Sequence, residues 1–193
     1  MRKTTIVALL FVVCALACSS SSPSTTSSPS APASSTPAAT PCSVAGASTT
    51  TTTVPSSAST AAVTDVSYTD TGCVRIVFRF GGDHTPGYTV GYANPPFADC
   101  GSGADVATSS WGADHYLQIK LEPSGGVDLS TSANPTYKGS RDIRVDRPTL
   151  KHLRVTCDFE AVFTWIAGLS GEHAFKVEAL RDPPRLVIDI SQS

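Results

Sequence analysis

Phe175-Lys176-Val177-Glu178-Ala179-Leu180-Arg181-Asp182-Pro183-Pro184-Arg185-Leu186-Val187-Ile188-Asp189-Ile190 reads as two strands joined by a rigid corner. In the first half Phe175, Val177 and Ala179 fall on one side and Lys176 and Glu178 on the other. Pro183 and Pro184 fix φ and remove two amide donors, so no ladder runs through them and the chain must turn there. After the corner, Leu186, Ile188 and Ile190 share one face, with Val187 and Asp189 on the opposite one. Such a strand-corner-strand unit has to close onto a sheet made earlier in the chain.

Working back from it, strand signals recur at short intervals and no segment carries a helical period. Residues 63–68 open the series, followed by 74–80, where Val74, Ile76, Phe78 and Phe80 alternate with Arg75, Val77 and Arg79. Tyr88, Val90 and Tyr92 end at Asn94-Pro95-Pro96, and Leu117, Ile119 and Leu121 alternate with Gln118, Lys120 and Glu122. Residues 127–148 read as a long connection, and 151–155, 159–166 and the organising stretch complete the set. The expectation is an all-β fold, a β-sandwich of about eight strands. Strands 63–68, 74–80, 88–96 and 117–122 find counterparts in 151–155, 159–166, 175–184 and 186–190, and the Pro-Pro corner recurs in each half. Two pseudo-symmetric halves explain this; the competing explanation is that short β registers resemble one another.

The phrases Gly72-Cys73-Val74-Arg75-Ile76-Val77-Phe78-Arg79-Phe80, Pro86-Gly87-Tyr88, Asp158-Phe159-Glu160 with Trp165, and Asp182-Pro183-Pro184-Arg185-Leu186-Val187 occur in this order. Over residues 63–191 they resemble the AMIN and AMIN-like modules of bacterial envelope proteins, and most of all the AMIN-like lipoproteins of actinomycetes. The resemblance implies a small β-sandwich associated with peptidoglycan binding and with placing partner enzymes. No hydrolase domain accompanies the module here, and Cys73, Cys100 and Cys157 depart from the family's usual residues.

The chain begins with Arg2-Lys3 and an apolar run over residues 6–17. That run is shorter than the roughly 20 residues a membrane span needs, so 1–17 is expected to be a secretory signal peptide. Ala15-Leu16-Ala17 before Cys18 resembles a lipobox, with Ala15 where leucine is usual, and makes Cys18 the candidate lipidation site; simple secretion is the alternative. From Ser19 to Ala62 only Cys42, Val44, Gly46 and Val54 are not Ser, Thr, Pro or Ala, and none is charged. Residues 18–62 are therefore expected to form a lipidated cysteine plus a disordered tether of roughly 40 Å reach, open to O-glycosylation, ahead of a sandwich domain at 63–193. The chain would sit on the extracytoplasmic face of the membrane, touching it only through the lipid.

Formal net charge is −2 and falls to about −4 when Arg2 and Lys3 leave with the signal. With no basic block, nucleic acid is not an expected partner. Cys42, Cys73, Cys100 and Cys157 remain as disulfide candidates, an even number in an oxidising compartment, with three possible pairings. No two of them stand two to four residues apart, so neither a metal nor another cofactor is expected.

Catalysis needs convergent acid, base or nucleophile groups. His84 and His115 each follow an aspartate, His152 and His173 stand alone, and no hydrolase or phosphate-binding motif is present. The expectation is therefore a non-enzymatic module, with a hydrolase built on His84 or His115 as the reading to exclude. Strand alternation puts Arg75, Arg79, Lys120, Lys176 and, beside the corner, Arg185 on polar faces, with Gln118 and Glu178. Glycans are held by such groups plus a flat aromatic. Trp111, between Ser110 and Gly112, is the candidate aromatic, ahead of Tyr88, Tyr116 and Trp165, of which Trp165 reads as core. The ligand-binding candidates are thus Arg75, Arg79, Trp111, Lys120, Lys176 and Arg185, and the partner peptidoglycan or another envelope glycan. The alternative is a protein-interaction module that recruits or restrains an envelope enzyme, which predicts a contiguous exposed apolar patch.

Overall fold

The computed structural model describes Cys42 and residues 44–56, 58–128 and 134–192, all within one compact unit. The expected signal peptide, Cys18 and the first part of the Ser/Thr/Pro/Ala segment lie outside the described residues.

Among the described residues there are fifteen strands and no helix. In chain order they are β1 (Thr52–Val54), β2 (Ala61–Thr71), β3 (Cys73–Phe80), β4 (Gly87–Tyr92), β5 (Phe97–Ala98), β6 (Asp105–Val106), β7 (His115–Glu122) and β8 (Ser124–Gly125). They continue with β9 (Val127–Asp128), β10 (Asn134–Pro135), β11 (Asp142–Arg144), β12 (Leu150–Phe159), β13 (Val162–Leu169), β14 (Phe175–Leu180) and β15 (Arg185–Ile190). One sheet runs β1-β4-β7-β13-β12-β11, the other β14-β15-β3-β2-β8, and β5-β6 and β9-β10 are small ribbons.

Each of the eight long strands overlaps one of the segments that the alternation marks, with ends that differ by a few residues. The two halves are topologically equivalent: β2, β3, β4 and β7 map onto β12, β13, β14 and β15, so that the order β14-β15-β3-β2 becomes β4-β7-β13-β12. Each half gives a hairpin to one sheet and its last two strands to the other. The two Pro-Pro corners carry cis peptide bonds, at Pro95–Pro96 and Asp182–Pro183.

Inward residues of the two sheets make the main core. Val74, Ile76, Phe78, Leu186, Ile188 and Ile190 face Val90, Leu117, Ile119, Leu121, Phe163 and Trp165, all of them fully buried. Each such side chain contributes about 1.5–3 kcal/mol by leaving water. Trp165 is central, with Phe78, Phe163 and Tyr137 edge-on at 6.1, 5.9 and 5.7 Å.

Three expectations need correction. The first concerns the folded unit, which reaches further toward the N-terminus than Val63. Thr52, Thr53 and Val54 pair with Val90, Thr89 and Tyr88, Ser48 exchanges two backbone hydrogen bonds with Phe175, and Cys42 is bonded to Cys73. Composition argues against burial here, yet an open sheet edge offers unpaired backbone groups that a β-branched segment can satisfy without an apolar face. Gly87 permits the approach: a Cβ there would lie 2.7 Å from the Ser56 nitrogen.

The second concerns residues 127–148, which are more than a connection. They supply edge strand β11, and they send Tyr137 into the core at 5% exposure. The third is the start of the strand expected over 159–166, which begins only at Val162 and runs to Leu169 as β13. Phe159 ends β12 and pairs with Val162, and Glu160 and Ala161 form the turn with φ of 49° and 60°.

Candidate functional site

Four of the six ligand-binding candidates share one surface, the outer face of the five-stranded sheet. Register aligns Lys176, Asp189, Arg75 and Thr69 in one row across β14, β15, β3 and β2, and Leu180, Arg185, Arg79 and Asp65 in another. The surface is not a set of waiting donors, because its charges are occupied. Arg75 gives Nε and Nη2 to the two Asp189 oxygens at 2.6 and 2.7 Å, with the side chains only 14% and 6% exposed. That hydrogen bond, opposed by burial, holds the Arg75 guanidinium above its ordinary pKa. Arg79 lies 3.4 Å from Asp65 and Lys176 3.9 Å from Glu178, both exposed pairs, and Arg185 Nε donates to the Pro183 carbonyl at 3.3 Å.

Lys120 is on the other sheet, 2.5 Å from Glu122. It lines a shallow cleft of about 290 Å³ with Thr53, Val54, Tyr88 and Thr89.

Trp111 is corrected outright. It is 3% exposed and stacks flat on His152, with centroids 4.3 Å apart and planes 5° apart. Tyr116, Phe97, Val106 and Ile166 complete a second, smaller core around it. It seals the outer side of the six-stranded sheet and offers no platform to a sugar.

A larger cleft, of about 390 Å³, escaped the sequence reading. Asp99, Arg141, Asp142, Arg154, Asp158 and Phe159 line it. Its floor is β12, which bulges between Val155 and Cys157. The bulge frees the Thr156 carbonyl, which accepts the Cys100 N–H at 2.9 Å, and Cys100 is also bonded to Cys157 with Cα atoms 5.0 Å apart. The loop at Asp99 is thereby fixed as one wall. The Asp99 carboxylate accepts the Ser102 hydroxyl and amide at 2.8 and 2.9 Å, which lowers its pKa. Arg141 meets Asp158 at 2.6 Å, and Arg154 Nη1 donates to Asp142 at 2.9 Å. Phe159, 56% exposed, stands at the rim.

The cysteines pair as Cys42–Cys73 and Cys100–Cys157, one of the three connectivities open to the sequence. His84 and His115 stand away from both clefts. His84 bonds Asp83 and the Ser59 carbonyl at an exposed site. His152 reaches Asp142 at 2.5 Å, but its ring is covered by Trp111.

The profile of the AMIN-like domain matches residues 61–192, the whole of both sheets apart from β1. The chain belongs to the AMIN-like domain family. No curated protein and no solved structure matches it. Membership gives this AMIN-like domain an envelope-associated role, and the Cys100–Cys157 disulfide fits an exported protein. The AMIN-like domain's recognisable phrases turn out to be framework: Arg75 is locked to Asp189, the Pro-Pro corner turns β14 into β15, and Trp165 fills the core.

Proposed function

We propose that this protein is a non-enzymatic envelope module whose AMIN-like sandwich holds onto peptidoglycan, carried outside the cytoplasm by its N-terminal signal and anchored through Cys18. The observation that carries the reading is the family match across residues 61–192. The surface chemistry supports it: both clefts are open, the larger lined mainly by charged side chains and the smaller by Lys120, Glu122 and hydroxyl groups, as a hydrated polymer requires. A protein-docking module would present a contiguous apolar patch. The exposed large apolar side chains among the described residues are Val44, Val54 and Phe159, and Val54 and Phe159 line different clefts. Co-sedimentation of the full chain with purified cell-wall sacculi tests the reading. Saturable pelleting is expected, and a chain that stays in the supernatant would remove it.

A further inference from the structure

The cleft walled by the Cys100–Cys157 disulfide differs from the rest of the surface in three respects. It is preformed: one wall is pinned to β12 by a disulfide and a backbone hydrogen bond, and on the other the Arg141 carbonyl accepts the Val155 N–H at 2.8 Å. Its charges alternate in sign, with guanidinium groups of Arg141 and Arg154 set among the carboxylates of Asp99, Asp142 and Asp158. Arg141 Nη2 stands 2.6 Å from Asp158 and Arg154 Nη1 2.9 Å from Asp142; a guanidinium carries five N–H donors, more than one such contact uses, and its planar fork suits a carboxylate. Mixed charge of this kind repels neither an anion nor a cation, and suits a ligand that carries both.

The third respect is strain. Phe159 is held at the rim by a two-residue turn in which Glu160 and Ala161 adopt φ of 49° and 60°. Glycine or asparagine is the usual occupant of such positions. The surrounding structure maintains the turn, the Ser124 N–H donating to the Ala161 carbonyl at 2.7 Å. Strained backbone is concentrated at functional sites, and this turn sets Phe159 against the cleft.

We propose that this cleft binds a short peptide bearing both a free amine and a free carboxylate: the peptide part of the wall polymer, and not its sugar strand. The inference rests on the wall-binding reading above and deepens it. Arg141 and Arg154 take the carboxylate, the more open carboxylates of Asp99 and Asp142 the ammonium group, and Phe159 covers the aliphatic part between them; Asp158, held by the Gly126 N–H and Arg141, orients the Arg141 guanidinium.

The test uses the full chain, isotopically labelled, and two soluble probes: a tetrapeptide of alanine, glutamate, lysine and alanine with free termini, and an N-acetylglucosamine tetramer. The tetrapeptide is expected to move the amide resonances of Arg154, Asp158 and Phe159. Arg154→Glu should weaken it at least tenfold and Phe159→Ser several-fold, while acetylating its amines should abolish binding. Phe159 is exposed, so its variant keeps the fold and stays informative even if Arg154→Glu does not. Resonance changes elsewhere, changes caused by the sugar alone, or no change would overturn the proposal. Sacculus pelleting run in parallel separates the two claims. Pelleting without peptide binding leaves the wall reading and overturns the cleft; peptide bound in the cleft without pelleting does the reverse.

Discussion

Asp189 of β15 accepts two charge-assisted hydrogen bonds from Arg75 of β3, directly across the ladder that joins the two ends of the domain. A bidentate pair this well covered fixes register between strands far apart in sequence, and it removes Arg75 from the list of available ligand contacts. Removing one partner strands the other in a poorly solvated place. Arg75→Ala should therefore cost about 3 kcal/mol in denaturant unfolding. Arg79→Ala, whose pair with Asp65 is half-exposed, should cost under about 1 kcal/mol. Equal losses for the two variants would contradict this division of roles.

Trp111 is a structural plug, so its truncation should act on stability. Trp111→Ala opens a cavity over β12 and β13 and should cost about 3–5 kcal/mol. Trp111→Phe should recover most of that and pellet with sacculi as the parent does. A fully folded Trp111→Ala chain that has lost wall binding would restore the tryptophan as a contact residue.

The turn at Glu160 and Ala161 stores strain that glycine relieves. A left-handed conformation costs roughly 1–2 kcal/mol for a residue with a Cβ, against about 0.5–1 kcal/mol of added entropy in the unfolded chain for glycine. Ala161→Gly should thus raise stability by about 0.5–1 kcal/mol. A loss measured by thermal or chemical unfolding would show that the Ala161 methyl packs usefully.

Burial, with His115 nearby adding to it, lowers the His173 pKa below its ordinary value of about 6.5. The unfolded chain then binds the proton more readily than the folded one. The stability contribution is present above about pH 6.5 and is lost as pH falls toward the depressed folded value. His84, raised by Asp83, works in the opposite direction but is close to solvent and screened. Unfolding midpoints of the parent should fall between pH 7 and pH 5, and His173→Gln should flatten that fall. An unchanged slope would place the sensitive group elsewhere.

The long strands were legible because each alternates over several residues against a buried face, as Val74, Ile76, Phe78 and Phe80 do. The paired halves were legible through their repeated Pro-Pro corners. Strand β1 was not, because Thr52 and Thr53 carry no apolar signal and are ordered by the edge of β4. Trp111 misled because nothing between Ser110 and Gly112 announces that His152 and Tyr116 will close around it. The larger cleft has no local signature at all: it exists only once Cys100 meets Cys157 and β11 pairs with β12. Periodicity reports the face a residue turns to the core; it is silent on which loops a covalent bond brings together.

The most direct test of the account is co-sedimentation of the full chain with purified sacculi, with Phe159→Ser alongside. Arg75→Ala is a poor probe, since its loss would report unfolding as readily as lost contact. The account predicts saturable pelleting by the parent and weaker pelleting by a folded Phe159→Ser chain. Parent protein that remains in the supernatant would contradict the wall-binding function.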